Sequence, residues 1–208
     1  MGFVHPDCAD IFVSYARVDD QPAPGVEAGW VSFLFQFLAV RLAQKLGRAD
    51  NFSLWIDRQL SSNTRLTPEL EAKVRTSAIL LPILSEGYLA SDWCRSELAT
   101  FLEEETKRAG GSRPRVFAIE YDRIEPPAGV KDLLRKRFWV EDPISRETRV
   151  LGFPELLPAD KERYYDSLND LCNDIVTELK LQKHENSKTM GVVPAGVFVE
   201  LEDIPVDG

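Results

Sequence analysis

The chain is dominated by short apolar runs that carry hydrophobic residues on both alternate positions and are separated by longer stretches of helical periodicity. Residues 9–15 (ADIFVSY), 52–56 (FSLWI), 78–84 (AILLPIL), 115–121 (RVFAIEY) and 137–140 (RFWV) are rich in β-branched and aromatic side chains and bounded by turn residues. A strand apolar on both faces has to be covered on both faces, as in a parallel sheet. Between the runs, residues 29–46 place Val31, Leu34, Leu38, Leu42 and Leu46 at helical spacing, with Gly47 where a left-handed cap belongs. Thr67, Pro68 and Glu69 give a hydroxyl cap, a proline at the first helical position and a first-turn acid. Ser91 and Asp92 open a further helix running to about Lys107, before Gly110 and Gly111. A short helix is expected over 130–135, and a last one over 160–181 with Leu168, Leu171, Cys172, Ile175 and Leu179 on one stripe. Strict alternation of strand and helix implies right-handed crossovers. The expected fold is α/β, a flavodoxin-like open sheet of about five parallel strands with helices on both faces. Ligands of such sheets bind at the carboxyl ends of the strands, which directs attention to residues 16–28, 57–66 and 85–92.

Composition narrows the classes of function. A 208-residue chain with 44% hydrophobic and 28% charged residues is long enough for one buried core and ordinary for a globular protein. Its net charge of -9 argues against nucleic-acid binding, which relies on clustered Lys and Arg at the phosphates. Cys8, Cys94 and Cys172 are odd in number and lack metal-type spacing, as free thiols of a reducing compartment would. No signal-peptide pattern and no apolar stretch of membrane-spanning length is visible, and the expectation is a cytoplasmic protein without membrane contact. Residues 1–183 read as the folded domain. Residues 184–208 read as a linker or C-terminal tail with a possible extra strand (VFVEL), leading to a fused or associated sensor domain or folding against its own or a neighbouring subunit.

Phosphate-loop, dinucleotide-fingerprint, zinc-protease and serine-hydrolase motifs are absent, and both histidines, His5 and His184, lie in terminal segments. A carboxylate remains the candidate for chemistry. Four segments, DIFVSYARVDD at 10–20, LWIDRQL at 54–60, SAILLPILSEGYLASDWCRSEL at 77–98 and RFWVED at 137–142, resemble in order and spacing the successive boxes of the Toll/interleukin-1 receptor (TIR) domain. The resemblance spans about residues 9–182, and the first segment and the WCRSE stretch look more like bacterial and plant members than animal adaptors. Residues 18–29 (VDDQPAPGVEAG) form a longer loop than is usual in the family.

The resemblance implies one of two activities. Some TIR domains are scaffolds that recruit other TIR domains; others cleave NAD+ at the nicotinamide–ribose bond, using a glutamate near the start of the helix after the third strand, with a tryptophan four residues earlier. Glu97 and Trp93 match that pattern. Nicotinamide is a cationic leaving group, and the ribose passes through an oxocarbenium-like state that a carboxylate can stabilise. Residues four apart share a helix face, so the Trp93 indole could cover an aromatic ring of the ligand or shield the carboxylate. The bland alternative is a solvated second-turn glutamate beside a core tryptophan.

The same resemblance puts Ser14, Tyr15, Ala16 and Arg17 beside the nicotinamide and phosphate ends of the ligand. Arg17 either pairs with pyrophosphate or is a surface arginine, and Asp57 either bonds ligand or caps its loop. Residues 58–66 (RQLSSNTRL) correspond to the BB loop of TIR assembly, with Arg65 facing a neighbour or a ligand. Glu103, Glu104 and Glu105 read as a solvated helix face rather than a metal site, and Phe33, Phe35 and Phe37 as marks of a helix covered on two sides.

The expectation is an NAD+ nucleosidase activated by self-assembly, with NAD+ as substrate and no cofactor or metal, and other TIR domains as partners. The resemblance gives its role as an effector of bacterial antiphage immunity. A non-catalytic TIR scaffold is the alternative, and another nucleotide hydrolase on the same architecture the third reading.

Overall fold

The computed structural model describes residues 2–47, 52–56, 68–108, 113–133 and 135–191, with side chains described as far as residue 188. Five parallel strands form the sheet: β1 (Ile11–Ser14), β2 (Leu54–Ile56), β3 (Ile79–Leu84), β4 (Ala118–Glu120) and β5 (Arg135–Arg137), in the order β2-β1-β3-β4-β5. This is the flavodoxin-like order expected from the sequence. A separate antiparallel pair, β6 (Trp139–Glu141) and β7 (Thr148–Val150), follows it.

Helix α1 (Trp30–Leu46) and α5 (Lys161–Gly191) cover one face of the sheet, while α2 (Pro68–Thr76), α3 (Glu86–Ala90) and α4 (Asp92–Lys107) cover the other. The strands supply both cores by simple alternation. Ile11 and Val13 join the α1/α5 core with Leu34, Leu38, Leu168 and Ile175, whereas Phe12 turns to the α2/α4 core with Val74, Leu98 and Phe101. Gly47 ends α1 at φ 73°, the left-handed conformation its sequence position calls for.

β3 contains Pro82, unusual in a central strand because proline has no N–H to give the ladder. Leu80 donates to the Arg115 carbonyl of the β4 side, so by strand alternation Pro82 also faces β4, where its missing donor would meet the Phe117 carbonyl. The ladder responds accordingly. An isolated bridge at Leu80–Val116 is separated from the continuous pairing that begins at Ile83–Ile119, while pairing to β1 runs on through Ser14–Pro82.

Several sequence expectations need correction. The described residues of 130–135 form no helix: residues 130–133 are turn and bend, and β5 begins at Arg135. The RFWV run is divided, with Arg137 closing the parallel sheet, Phe138 fully buried between the α1 and α5 side chains, and Trp139 starting the hairpin. Residues 85–92 hold a further short helix, the five-residue α3, which the sequence pattern does not announce. The last helix does not stop at 181 but continues to Gly191, through the first part of the segment read as linker; residues 192–208, including VFVEL, lie outside the described residues. Phe33 is exposed on α1 whereas Phe35 and Phe37 are half-buried, so the helix is covered by its own chain on part of its circumference. All three cysteines are free thiols, and among the described residues no helix is long and apolar enough to cross a membrane.

Candidate functional site

Ser14 is the last residue of β1, and β1 lies at the place where the chain order of the sheet reverses, between β2 and β3. Side chains there meet the helix N-termini that follow the strands. Ser91 caps α4 by accepting from the Cys94 N–H at 3.3 Å, and this fixes the first turns of α4 so that Glu97 reaches back across the end of β1. The Ser14 hydroxyl donates to Glu97 Oε2 at 2.5 Å. Glu97 is only 3% exposed. The reading of Glu97 as a solvated helix carboxylate is therefore wrong.

Tyr88 completes the cluster from α3. Its hydroxyl donates to the Cys94 carbonyl at 3.1 Å and lies 3.3 Å from Ser14 Oγ, and the residue is completely buried. Burial pushes the Tyr88 phenol well above its ordinary range, so it remains a protonated donor. The Cys94 thiol is pushed up to about 12, first by burial and further by the neighbouring Glu97 charge, which removes it as a nucleophile at neutral pH. The arrangement is a carboxyl group held by the Ser14 hydroxyl, with the Tyr88 hydroxyl beside Ser14 and bonded to the first turn of α4.

A second polar pair borders this cluster. The 3₁₀ turn Arg17–Asp20 after β1 buries Asp19, which accepts from the Ser85 hydroxyl at 2.5 Å. Ser85 in turn caps α3 by accepting from the Tyr88 N–H at 2.9 Å. Desolvation raises the Asp19 carboxyl to about 6 despite the Ser85 hydrogen bond, with smaller contributions from the Asp122 and Asp20 charges. The turn sits tight against α3. A side chain at Gly87 would place its Cβ 2.5 Å from Val18 Cγ1 and 3.2 Å from Ala16 Cβ.

Of the residues singled out from sequence, the structure brings Ser14 and Glu97 into direct contact and leaves Trp93 half-buried one turn earlier on α4. Tyr15 is half-buried against the α1/α5 core, Ala16 is buried under α3, and Arg17 is exposed on the 3₁₀ turn. Asp57, Arg65 and the whole 58–66 loop lie outside the described residues. Tyr88, Ser85 and Asp19 do not stand out in the sequence. The signal for two of them is a hydroxyl followed three residues later by Tyr88, a capping arrangement hidden because α3 is only five residues long. Glu103 and Glu104 are surface partners of Arg75 and Lys107, whereas Glu105 is half-buried beside Arg115 rather than part of a solvated face. Among the described residues no group of three His, Cys, Asp or Glu could hold a metal ion.

Known proteins supply the family. No curated protein matches the chain. Among solved structures it is similar to the TIR domains of the activated Roq1 resistosome that directly recognises the pathogen effector XopQ, at 15% identity over 85% of this chain and 84% of that one, with a TM-score of 0.38. The TIR domain family matches residues 36–148, a span that includes Trp93, Glu97 and Tyr88. Since that span is more than half of the chain, the protein belongs to the TIR domain family.

Proposed function

We propose that this TIR domain is an NAD+ nucleosidase that breaks the bond between nicotinamide and ribose, with Glu97 as the catalytic residue. The observation that carries the reading is the buried Glu97 carboxyl, held at 2.5 Å by Ser14 at the carboxyl end of the parallel sheet. Burying a carboxyl group lowers stability unless its oxygens are hydrogen-bonded, and a position where the fold tolerates that cost is a candidate for chemistry.

In the reaction the C1′–N bond breaks and its electron pair leaves with the nicotinamide ring, whose positive charge is thereby cancelled. No proton donor to the leaving group is needed. The positive charge moves to the ribose, where Glu97 stabilises it electrostatically, and water adds at C1′ to give ADP-ribose and a released proton. Ser14 holds one carboxylate oxygen, and Tyr88 holds Ser14 and the first turn of α4 through the Cys94 carbonyl. Both are positioning residues. Trp93, on the same face of α4, supplies an aromatic surface for a ring of the substrate, Tyr15 and Ala16 border it from β1, and Arg17 is the cation available to its pyrophosphate.

Because Glu97 is shielded in the single chain, substrate access belongs to the assembled state, with neighbouring TIR domains completing the site and the 58–66 loop, including Arg65, at the junction. By the resemblance, Asp57 is a further candidate for bonding the ligand. The cellular reading that follows is depletion of NAD+ by an effector of bacterial antiphage immunity, for which the support is the likeness of the DIFVSY and WCRSE segments to bacterial and plant members rather than animal adaptors. The test is nicotinamide release, measured across protein concentrations, by the wild type and by Glu97→Gln. A scaffold would show concentration-dependent oligomers and no release at any concentration.

A further inference from the structure

We infer, building on the proposed function, that the Arg17–Asp20 turn is a lid over the Glu97 site, hinged on α1 and latched to α3, and that releasing the latch admits substrate. The turn is a single layer of chain: Arg17 is exposed and Val18 is 64% exposed. Beneath it lie the neighbours of Glu97. Ala16, at its root, packs into the cluster that holds Tyr88, Cys94 and Leu98, and the Asp19 charge acts on the Cys94 thiol.

The two ends of the turn are held by different chemistry. At the α1 end, Asp20 is half-buried and accepts from both the N–H and the hydroxyl of Ser32, each at 2.7 Å. Gly29 lets the chain pass closely there, since a Cβ would come 2.0 Å from the Asp20 carbonyl oxygen. Two hydrogen bonds to a carboxylate that still touches water make a stable hinge. At the α3 end, Asp19 is only 8% exposed and accepts from the Ser85 hydroxyl at 2.5 Å. Gly87 has no room for a side chain while the lid is down, because its Cβ would stand 2.5 Å from Val18 Cγ1. α3 does not need the turn to stay in place: the Tyr88 hydroxyl is bonded to the Cys94 carbonyl and lies beside Ser14, so the hold on Glu97 survives when the lid lifts.

Protonation works the latch. A buried carboxyl group beside further acids is disfavoured as the anion. The groups acting on Asp19 are the Ser85 hydroxyl of α3, Asp122 just beyond β4, and Asp20 of the turn itself. Tyr121 and Cys94 feel its charge in turn, Ser32 of α1 is taken by Asp20, and Arg17 and Glu86 are exposed. Burial is the largest influence and brings the Asp19 carboxyl to about 6, whereas lifting the lid returns it to water and its ordinary 3.8. The closed lid binds the proton more tightly. Closure is therefore favoured in full below about pH 4, weakens as pH rises to about 6 and stays weak above it. Between about pH 5 and about pH 7.5 the opening constant rises about tenfold. At neutral pH the latch is the weak end of the turn, and lid opening and assembly act together on access to Glu97.

The experiment follows backbone amide exchange with solvent in the full chain by ¹⁵N NMR, at about pH 5 and about pH 7.5, each rate divided by its chemical rate. In wild type the Asp19 N–H, bonded to the Ala16 carbonyl at 2.9 Å, should lose about tenfold of its protection at the higher pH. The Ser32 N–H at the hinge should not. Asp19→Asn should keep the low-pH protection at both values. Gly87→Ala, which wedges the lid away from α3, should show the loss at both, and it carries the comparison should Asp19→Asn not fold. At about pH 7.5, where the wild type is active, Asp19→Asn should release nicotinamide at least about threefold more slowly. Wild-type protection independent of pH, the same pH dependence in Asp19→Asn, or equal turnover by the two proteins overturns the latch. Exchange is read without turnover, so a wild type that releases no nicotinamide at any concentration contradicts the proposed function while exchange still decides the lid.

Discussion

Glu97 is decisive at the scale of single residues, because its two possible roles predict opposite effects of the same substitution. If the carboxyl group were structural, Glu97→Gln would disturb a buried hydrogen-bonded contact and lower stability. If the fold instead accommodates a functional carboxyl group at some cost, the neutral isostere relieves that cost. Glu97→Gln is therefore expected to melt at the same temperature as wild type or higher; a loss of several degrees would assign Glu97 to structure. Tyr88 is expected to behave in the reverse way. Tyr88→Phe removes a buried hydrogen bond to the Cys94 carbonyl, which keeps its bond within α4, and this costs about 1 kcal/mol, readable as a lower denaturation midpoint. In turnover, kcat should fall while KM holds, because Tyr88 positions Glu97 without touching substrate.

At the scale of elements, the 3₁₀ turn after β1 couples the site to pH. Asp19 is raised from 3.8 to about 6 by burial, so the native state binds more protons than the unfolded chain between those values. Its contribution is fully present below about pH 4 and is lost as pH rises toward 6, and above that the ionised group leaves a constant penalty. For a residue only 8% exposed, a displacement of this size corresponds to on the order of 2–3 kcal/mol. Asp19→Asn should gain stability relative to wild type as pH is raised from 4 to 7, measured as the difference between the two denaturation midpoints; a difference independent of pH would contradict the assignment.

The elements also show what a sequence can reveal. The doubly apolar runs at β1 and β3, the glycine that ends α1 and the Ser91 cap of α4 are legible because local pattern and tertiary burial agree there. β5 is not, because Arg135, Lys136 and Arg137 look like a basic helix end; at an edge strand only backbone pairing to β4 makes them strand, and Arg135 is held by Glu120 at 2.7 Å. Glu97 is legible only as one end of a four-residue spacing. Its burial depends on Ser14, 83 residues away, and no local pattern records that contact.

At the scale of the whole molecule, a shielded carboxyl group has to be reconciled with an activity that needs substrate beside it. Under the proposed function, access through assembly would make the rate per subunit a function of concentration. Nicotinamide release per milligram should rise steeply with protein concentration and then level off, and a rate strictly proportional to protein would mean that the single chain already holds a complete site. The sharpest measurement compares wild type with Glu97→Gln at concentrations where the wild type is active, with circular dichroism and oligomeric state recorded on the same samples. Glu97→Gln is expected to fold and assemble like the wild type and to release nicotinamide at least about 100-fold more slowly; turnover by the variant equal to wild type would contradict a catalytic Glu97.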